Sequence, residues 1–145
     1  MRIFISFSKE GIKYAEKVNT FFEVNGCSPF LATKNIAPGE FGWIRIGKEI
    51  NSSDLIIFII TESSQSSTSQ MSEISLSMNL GKHIISCVKD GIELSELIIL
   101  EARNILKFED SNLESICHKI LSNINNGRYS KEIKPSSSLP EGKEV

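Results

Sequence analysis

Leu55-Ile56-Ile57-Phe58-Ile59-Ile60 is apolar at every position. A strand with one solvated face alternates apolar and polar residues. A strand apolar on both faces belongs in the middle of a parallel sheet covered by helices. The flanks agree with that placement. On the N-terminal side, Trp43, Ile46 and Ile50 recur at i, i+3 and i+7, which predicts a short helix. On the C-terminal side, residues 62–72 are rich in Ser, Gln and Thr, and Ser67-x-x-Gln70 has the form of a capping box. A helix is therefore expected from about Thr68 to Leu80, stopped by Gly81, with a further strand over Ile84-Ile85-Ser86-Cys87-Val88.

The pattern repeats outward. Ile3-Phe4-Ile5-Ser6-Phe7 reads as another central strand. A helix follows over about residues 9–25, with Ser8 as its N-cap and Asn25-Gly26 ending it. Ile12, Ala15, Val18 and Phe22 are its sheet-facing stripe. Pro29-Phe30-Leu31 is a short strand, and residues 32–42 read as a loop in which Pro38-Gly39 suits a type II turn. Residues 94–100 form a short crossover and residues 104–108 an edge strand. Leu113, Ile116, Cys117, Ile120, Leu121 and Ile124 make the apolar face of a last helix. From residue 131 to the end there are two prolines, a Ser triplet, several charges and almost no apolar content, so residues 128–145 read as a flexible tail or linker after a domain over 1–127. This alternation specifies an α/β fold with an open five-stranded parallel sheet and helices on both faces. Ligands of such sheets bind at the carboxyl ends of the strands, here residues 6–9, 32–42, 61–72 and 88–92.

Composition bounds the function. The 145 residues carry a formal net charge of −2 and 40% hydrophobic residues. No basic excess points to nucleic acid. No apolar run is long enough to span a membrane, and residues 1–7 read as a strand rather than a signal peptide. Cys27, Cys87 and Cys117 are odd in number and share no metal-ligand spacing, so they are read as reduced, packed thiols of a cytoplasmic protein, with no metal expected.

Four motifs occur in order: Ile3-Phe4-Ile5-Ser6-Phe7-Ser8; Ile36-Ala37-Pro38-Gly39-Glu40-Phe41-Gly42-Trp43; Ser53-Asp54 leading through the apolar run to Thr61; and Glu73 followed by Gly81-Lys82-His83-Ile84-Ile85. Together they resemble the TIR (Toll/interleukin-1 receptor) domain family over roughly residues 1–125. The resemblance implies a flavodoxin-like three-layer sandwich. It implies one of two kinds of function, because fold alone does not choose chemistry. One is cleavage of the nicotinamide–ribose bond of NAD, as a glycohydrolase or ADP-ribosyl cyclase in prokaryotic, antiviral immune-type signalling. The other is a non-catalytic adaptor acting by homotypic TIR–TIR assembly. The first uses NAD as substrate with no further cofactor, and it implies oligomerisation and a downstream effector that reads the product.

In the NAD-cleaving members the catalytic residue is a helix glutamate, and Glu73 matches it. The chemistry explains why one carboxylate suffices. Nicotinamide leaves a cationic pyridinium as a neutral amine, so no strong general acid is needed. The ribose carbon becomes oxocarbenium-like and is stabilised by a nearby negative charge. Glu73 would also be favoured near a helix N-terminus by the helix dipole alone. The resemblance further implies that Ser6, Phe7, Ser8 and Lys9 line the nucleotide pocket and that residues 32–42 form a flap. Lys34 and Asn35 are then candidate contacts, and Phe41 and Trp43 candidate stacking rings. Ser8 as an N-cap, Lys9 as a solvated lysine and Trp43 as a core residue are the competing readings. One departure stands out: many NAD-cleaving members carry Trp four residues before the glutamate, and here that position is Ser69, so the ligand-packing ring would come from Trp43, Phe41 or a neighbouring subunit. The serine run 63–69 is read as a cap-rich solvated loop, since His83 and His118 do not make a Ser-His-Asp pattern with it. No glycine-rich phosphate loop is present. A nucleoside ribosyltransferase-like enzyme, also using a glutamate near ribose, is a third reading.

Overall fold

The computed structural model describes residues 1–36, 38–40, 42–93 and 105–129. All six residues of β3 (Leu55–Ile60) are buried, and the strand's two faces belong to two different cores. Leu55, Ile57 and Ile59 face one, and Ile56, Phe58 and Ile60 the other. Successive strand residues point to opposite faces, so a run without a polar residue needs cover on both sides. Around β3 lie β1 (Arg2–Ser6), β2 (Ser28–Phe30), β4 (His83–Lys89) and β5 (Ile105–Phe108), all parallel, in the order β2-β1-β3-β4-β5. That is the doubly wound flavodoxin-like order, whose direction of winding reverses between β1 and β3.

Helices α1 (Ile12–Val24) and α5 (Leu113–Asn125) cover the Ile57 face. Helices α3 (Gly42–Ser52) and α4 (Thr68–Asn79) cover the Phe58 face, through Ile50 and Ile74. A one-turn helix, α2 (Ala32–Asn35), follows β2. Among the described residues no helix is long and apolar enough to cross a membrane. The expected crossover at 94–100, Phe41, the side chain of Lys34 and the tail beyond residue 129 lie outside the described residues.

Several local expectations shift. The helix expected from residue 9 opens as a 3-10 turn (Lys9–Gly11) before α1, and Ser8 makes no side-chain capping bond. The reason is tertiary. Ser8 is buried and its hydroxyl is engaged by Ser63 at 2.5 Å and Thr61 at 3.3 Å, while Gly11 passes so close to β3 that an added Cβ would lie 3.4 Å from Ile59. The short second strand lies one residue earlier than expected, because Leu31 leaves the ladder and its N–H donates to Asn35 Oδ1 at 2.8 Å, within α2. Gly39 has φ +87°, the left-handed value that a type II turn requires after Pro38. Gly81, at φ +65°, ends α4 in the same way.

Candidate functional site

Helix α4 starts where the sequence predicts, but only half of the expected capping box forms. Ser67 Oγ accepts from the Gln70 N–H at 3.1 Å. Replacing Ser67 with Ala is expected to cost about 1 kcal/mol of stability, read as a lowered thermal midpoint, because it leaves that N–H without its acceptor. The Gln70 side chain does not return to Ser67. It is fully buried and points under the helix, where Nε2 donates to Ser6 O at 3.1 Å and to Ile59 O at 3.0 Å. Its Oε1 has no hydrogen-bond partner.

One turn on, Glu73 Oε1 accepts from the Ser6 hydroxyl at 2.6 Å. Ser6 is the last residue of β1, so the contact sits at the carboxyl end of the strand where the winding reverses. Burial pushes the Glu73 carboxyl up to about 7, against the opposing effect of the Ser6 bond. Glu73 also lines a cleft of about 330 Å³ between α3 and α4. Ser69, Ser72 and Leu76 of α4 form one wall with it, and Trp43, Ile46 and Gly47 of α3 the other. Among these lining residues Glu73 is the only ionisable one.

The structure brings Glu73, Ser69 and Trp43 to one cleft and Ser6 to Glu73. Trp43 is 77% exposed, so the reading of Trp43 as a core residue is corrected: α3 buries Ile50, whereas Trp43 stands at its open end. Among the described residues, the expected contacts Phe7, Ser8, Lys9 and Asn35 do not line this cleft. Phe7 packs partly buried against the α1/α5 core, and Lys9 is exposed in the 3-10 turn. Ser8 belongs to a hydroxyl cluster with Thr61, Ser63 and Ser64, and Asn35 closes α2. The serine run is correspondingly less solvated than expected. Ser64 is fully buried and accepts from the Thr61 N–H at 2.9 Å, and Ser63 accepts from the Glu10 N–H at 3.1 Å. The Ser69–Ser72–Glu73–Leu76 face was available in the sequence as an i, i+3, i+4, i+7 pattern, but small polar residues give it no apolar signal.

A larger groove of about 830 Å³ runs between α1 and α5, on the opposite side of the sheet. It mixes Lys13, Lys17, Glu16 and Glu114 around Phe21 and His118, and no buried polar group converges on it. The chemistry of a strand-end site favours the smaller cleft. The thiols of Cys87 and Cys117 are pushed up by burial, that of Cys117 to about 12, which makes both inert as nucleophiles.

Comparison with known proteins agrees with this architecture. A family model described as a TIR domain matches residues 3–120. The TIR domain of the Toll-related receptor TRR-2 from Hydra magnipapillata superposes with a TM-score of 0.70 at 16% identity, covering 86% of this chain and 97% of that one. The CMP N-glycosidase BcmB from Clostridium botulinum superposes with a TM-score of 0.60 at 18% identity, covering 83% of this chain and 98% of that one. No curated protein matches the sequence significantly.

Proposed function

The chain belongs to the TIR domain family, and from that premise we propose that it cleaves the N-glycosidic bond between nicotinamide and ribose in NAD, with Glu73 as the catalytic carboxylate. The observation that carries this reading is a half-buried carboxylate, bonded to Ser6, in a cleft walled by an exposed indole. The bond from the ribose carbon to the pyridinium nitrogen breaks with its electron pair going to nitrogen, and nicotinamide leaves neutral. Ionised Glu73 stabilises the positive charge left on the ribose carbon. Water then bonds to that carbon and releases a proton, or a second nucleophile within NAD closes a cyclic isomer.

The cleft chemistry favours the pyridinium end of a dinucleotide. Among its lining residues there is no cation for a phosphate, while a carboxylate and an indole face both suit a cationic ring. Trp43 supplies on α3 the ring that Ser69 lacks on α4. The Trp43→Ala variant is expected to raise KM for NAD by about 2- to 30-fold, the range of a cation–π contact, with kcat changed little. Its stability should move by no more than about 0.5 kcal/mol, since the side chain is exposed. Steady-state kinetics beside a urea titration measure both.

The deciding experiment is nicotinamide release from NAD by concentrated protein, with CMP in parallel. The reading expects nicotinamide and no cytosine. Cytosine release alone would move the substrate class to nucleotides with a neutral base, such as the CMP in the name of BcmB. An inert protein, even when tethered into assemblies, supports the adaptor reading, in which self-association of TIR domains is the function.

A further inference from the structure

Gln70 was singled out by the sequence as a helix cap, and the structure uses it otherwise. Its carboxamide lies beneath the first turn of α4, with Nε2 shared between the main-chain carbonyls of Ser6 and Ile59. These carbonyls sit at the ends of β1 and β3, the two strands of the switch point. Ser6 is thereby held twice from one helix face. Its carbonyl is held by Gln70 and its hydroxyl by Glu73 three residues on. Gln70 is also the only described residue with a buried, unpartnered side-chain polar atom, its Oε1. Buried acceptors without a donor are costly, and an apolar side chain of similar shape would avoid the cost while filling the same space. A polar residue kept at such a place points to the work of its other end.

We infer that Gln70 is a positioning residue for Glu73: by pinning α4 to the ends of β1 and β3 it sets the Ser6–Glu73 contact on which the glycosidic chemistry depends. The inference rests on the proposed function only for its kinetic consequence, because the contact itself can be observed without turnover. Gln70→Met keeps the volume and removes the donor. The Glu73 carboxyl then loses the Ser6 hydroxyl, whose bond holds its midpoint down against burial, and the midpoint rises.

The test is a carboxyl-carbon NMR titration of Glu73, assigned by the resonance that E73Q loses, on wild type and Gln70→Met, both checked for folding by circular dichroism. The expected result is a raised midpoint, together with loss of the Ser6–Glu73 side-chain NOE. A midpoint unchanged or lowered, or a retained NOE, in folded Gln70→Met overturns the inference. Gln70→Glu is the second arm, since it is isosteric and donates an O–H only when protonated. It should keep the NOE near pH 5 and lose it near pH 9, whereas wild type keeps it at both. The same NOE at both values in Gln70→Glu also overturns the inference, whether or not Gln70→Met folds. In turnover assays, Gln70→Met should lower kcat at least tenfold and leave KM within about twofold. An inactive wild type would defeat the proposed function while the titration still decides the role of Gln70. Full activity with an unmoved midpoint would leave the function standing and remove Gln70 from it.

Discussion

Glu73→Gln is expected to slow nicotinamide release from NAD by about 10²-fold or more, the cost of removing one preorganised electrostatic group from a transition state. Gln is the informative substitution because its Oε1 can still accept from the Ser6 hydroxyl, now 2.6 Å from the carboxylate. The fold and the Ser6 contact therefore survive, and only the charge is lost. Glu73→Ala would instead strand the hydroxyl of Ser6, which is 1% exposed, and mix a stability cost of about 1–3 kcal/mol into the rate effect. The loss should fall on kcat and kcat/KM together, since the interaction with the ribose carbon strengthens only as positive charge develops. A folded Glu73→Gln protein retaining a tenth or more of the wild-type rate would remove Glu73 from the chemistry.

The second large effect is a stability that falls as pH rises. Burial lifts the Glu73 carboxyl from its ordinary 4.5 to about 7, so between those values the folded protein holds a proton that the unfolded chain has released. Stability must then decrease with increasing pH across that window and level off above it. At about 1.4 kcal/mol per unit the loss is on the order of 3 kcal/mol, a large share of the stability of a small domain. Glu73→Gln carries no such titration, so it should be the more stable protein at pH 8 and not at pH 4. Urea midpoints of the two proteins at both pH values test this. Equal differences at pH 4 and pH 8 would show that Glu73 is not held buried. The same group sets the activity profile. Because the ionised form is the competent one, kcat/KM for NAD should rise with pH through about 7. The limb for kcat should lie lower, because a bound cationic ring favours the carboxylate.

Much of the fold was legible because its signals are local. Periodicity placed β3, the start of α4 at Thr68 and the apolar face of α5, and Gly81 marked the end of α4. Each of these depends on residues within about one turn of one another. The misreadings have the opposite character. Ser8 and Gln70 carry the composition of caps, yet Ser8 bonds to Ser63 and Gln70 to β1 and β3. A polar side chain takes whichever partner the packed neighbours offer; those of Ser8 are 53 or more residues away, and those of Gln70 are 64 residues away at Ser6 and 11 at Ile59.

The sequence by itself determined a parallel α/β sheet with β3 at its centre, the helix on which Glu73 sits, and, through the four motifs, the family. The tertiary structure alone decided the site. Only the order β2-β1-β3-β4-β5 sets the end of β1 beside β3 and under α4, so that Ser6 meets a carboxylate 67 residues along the chain. Only the packing of α3 against α4 leaves Trp43 standing over the same cleft. Hydrophobic period and capping chemistry act along the chain and can be read from it. Hydrogen bonds between distant strand ends, and the burial that raises the Glu73 carboxyl, exist only once the layers are assembled.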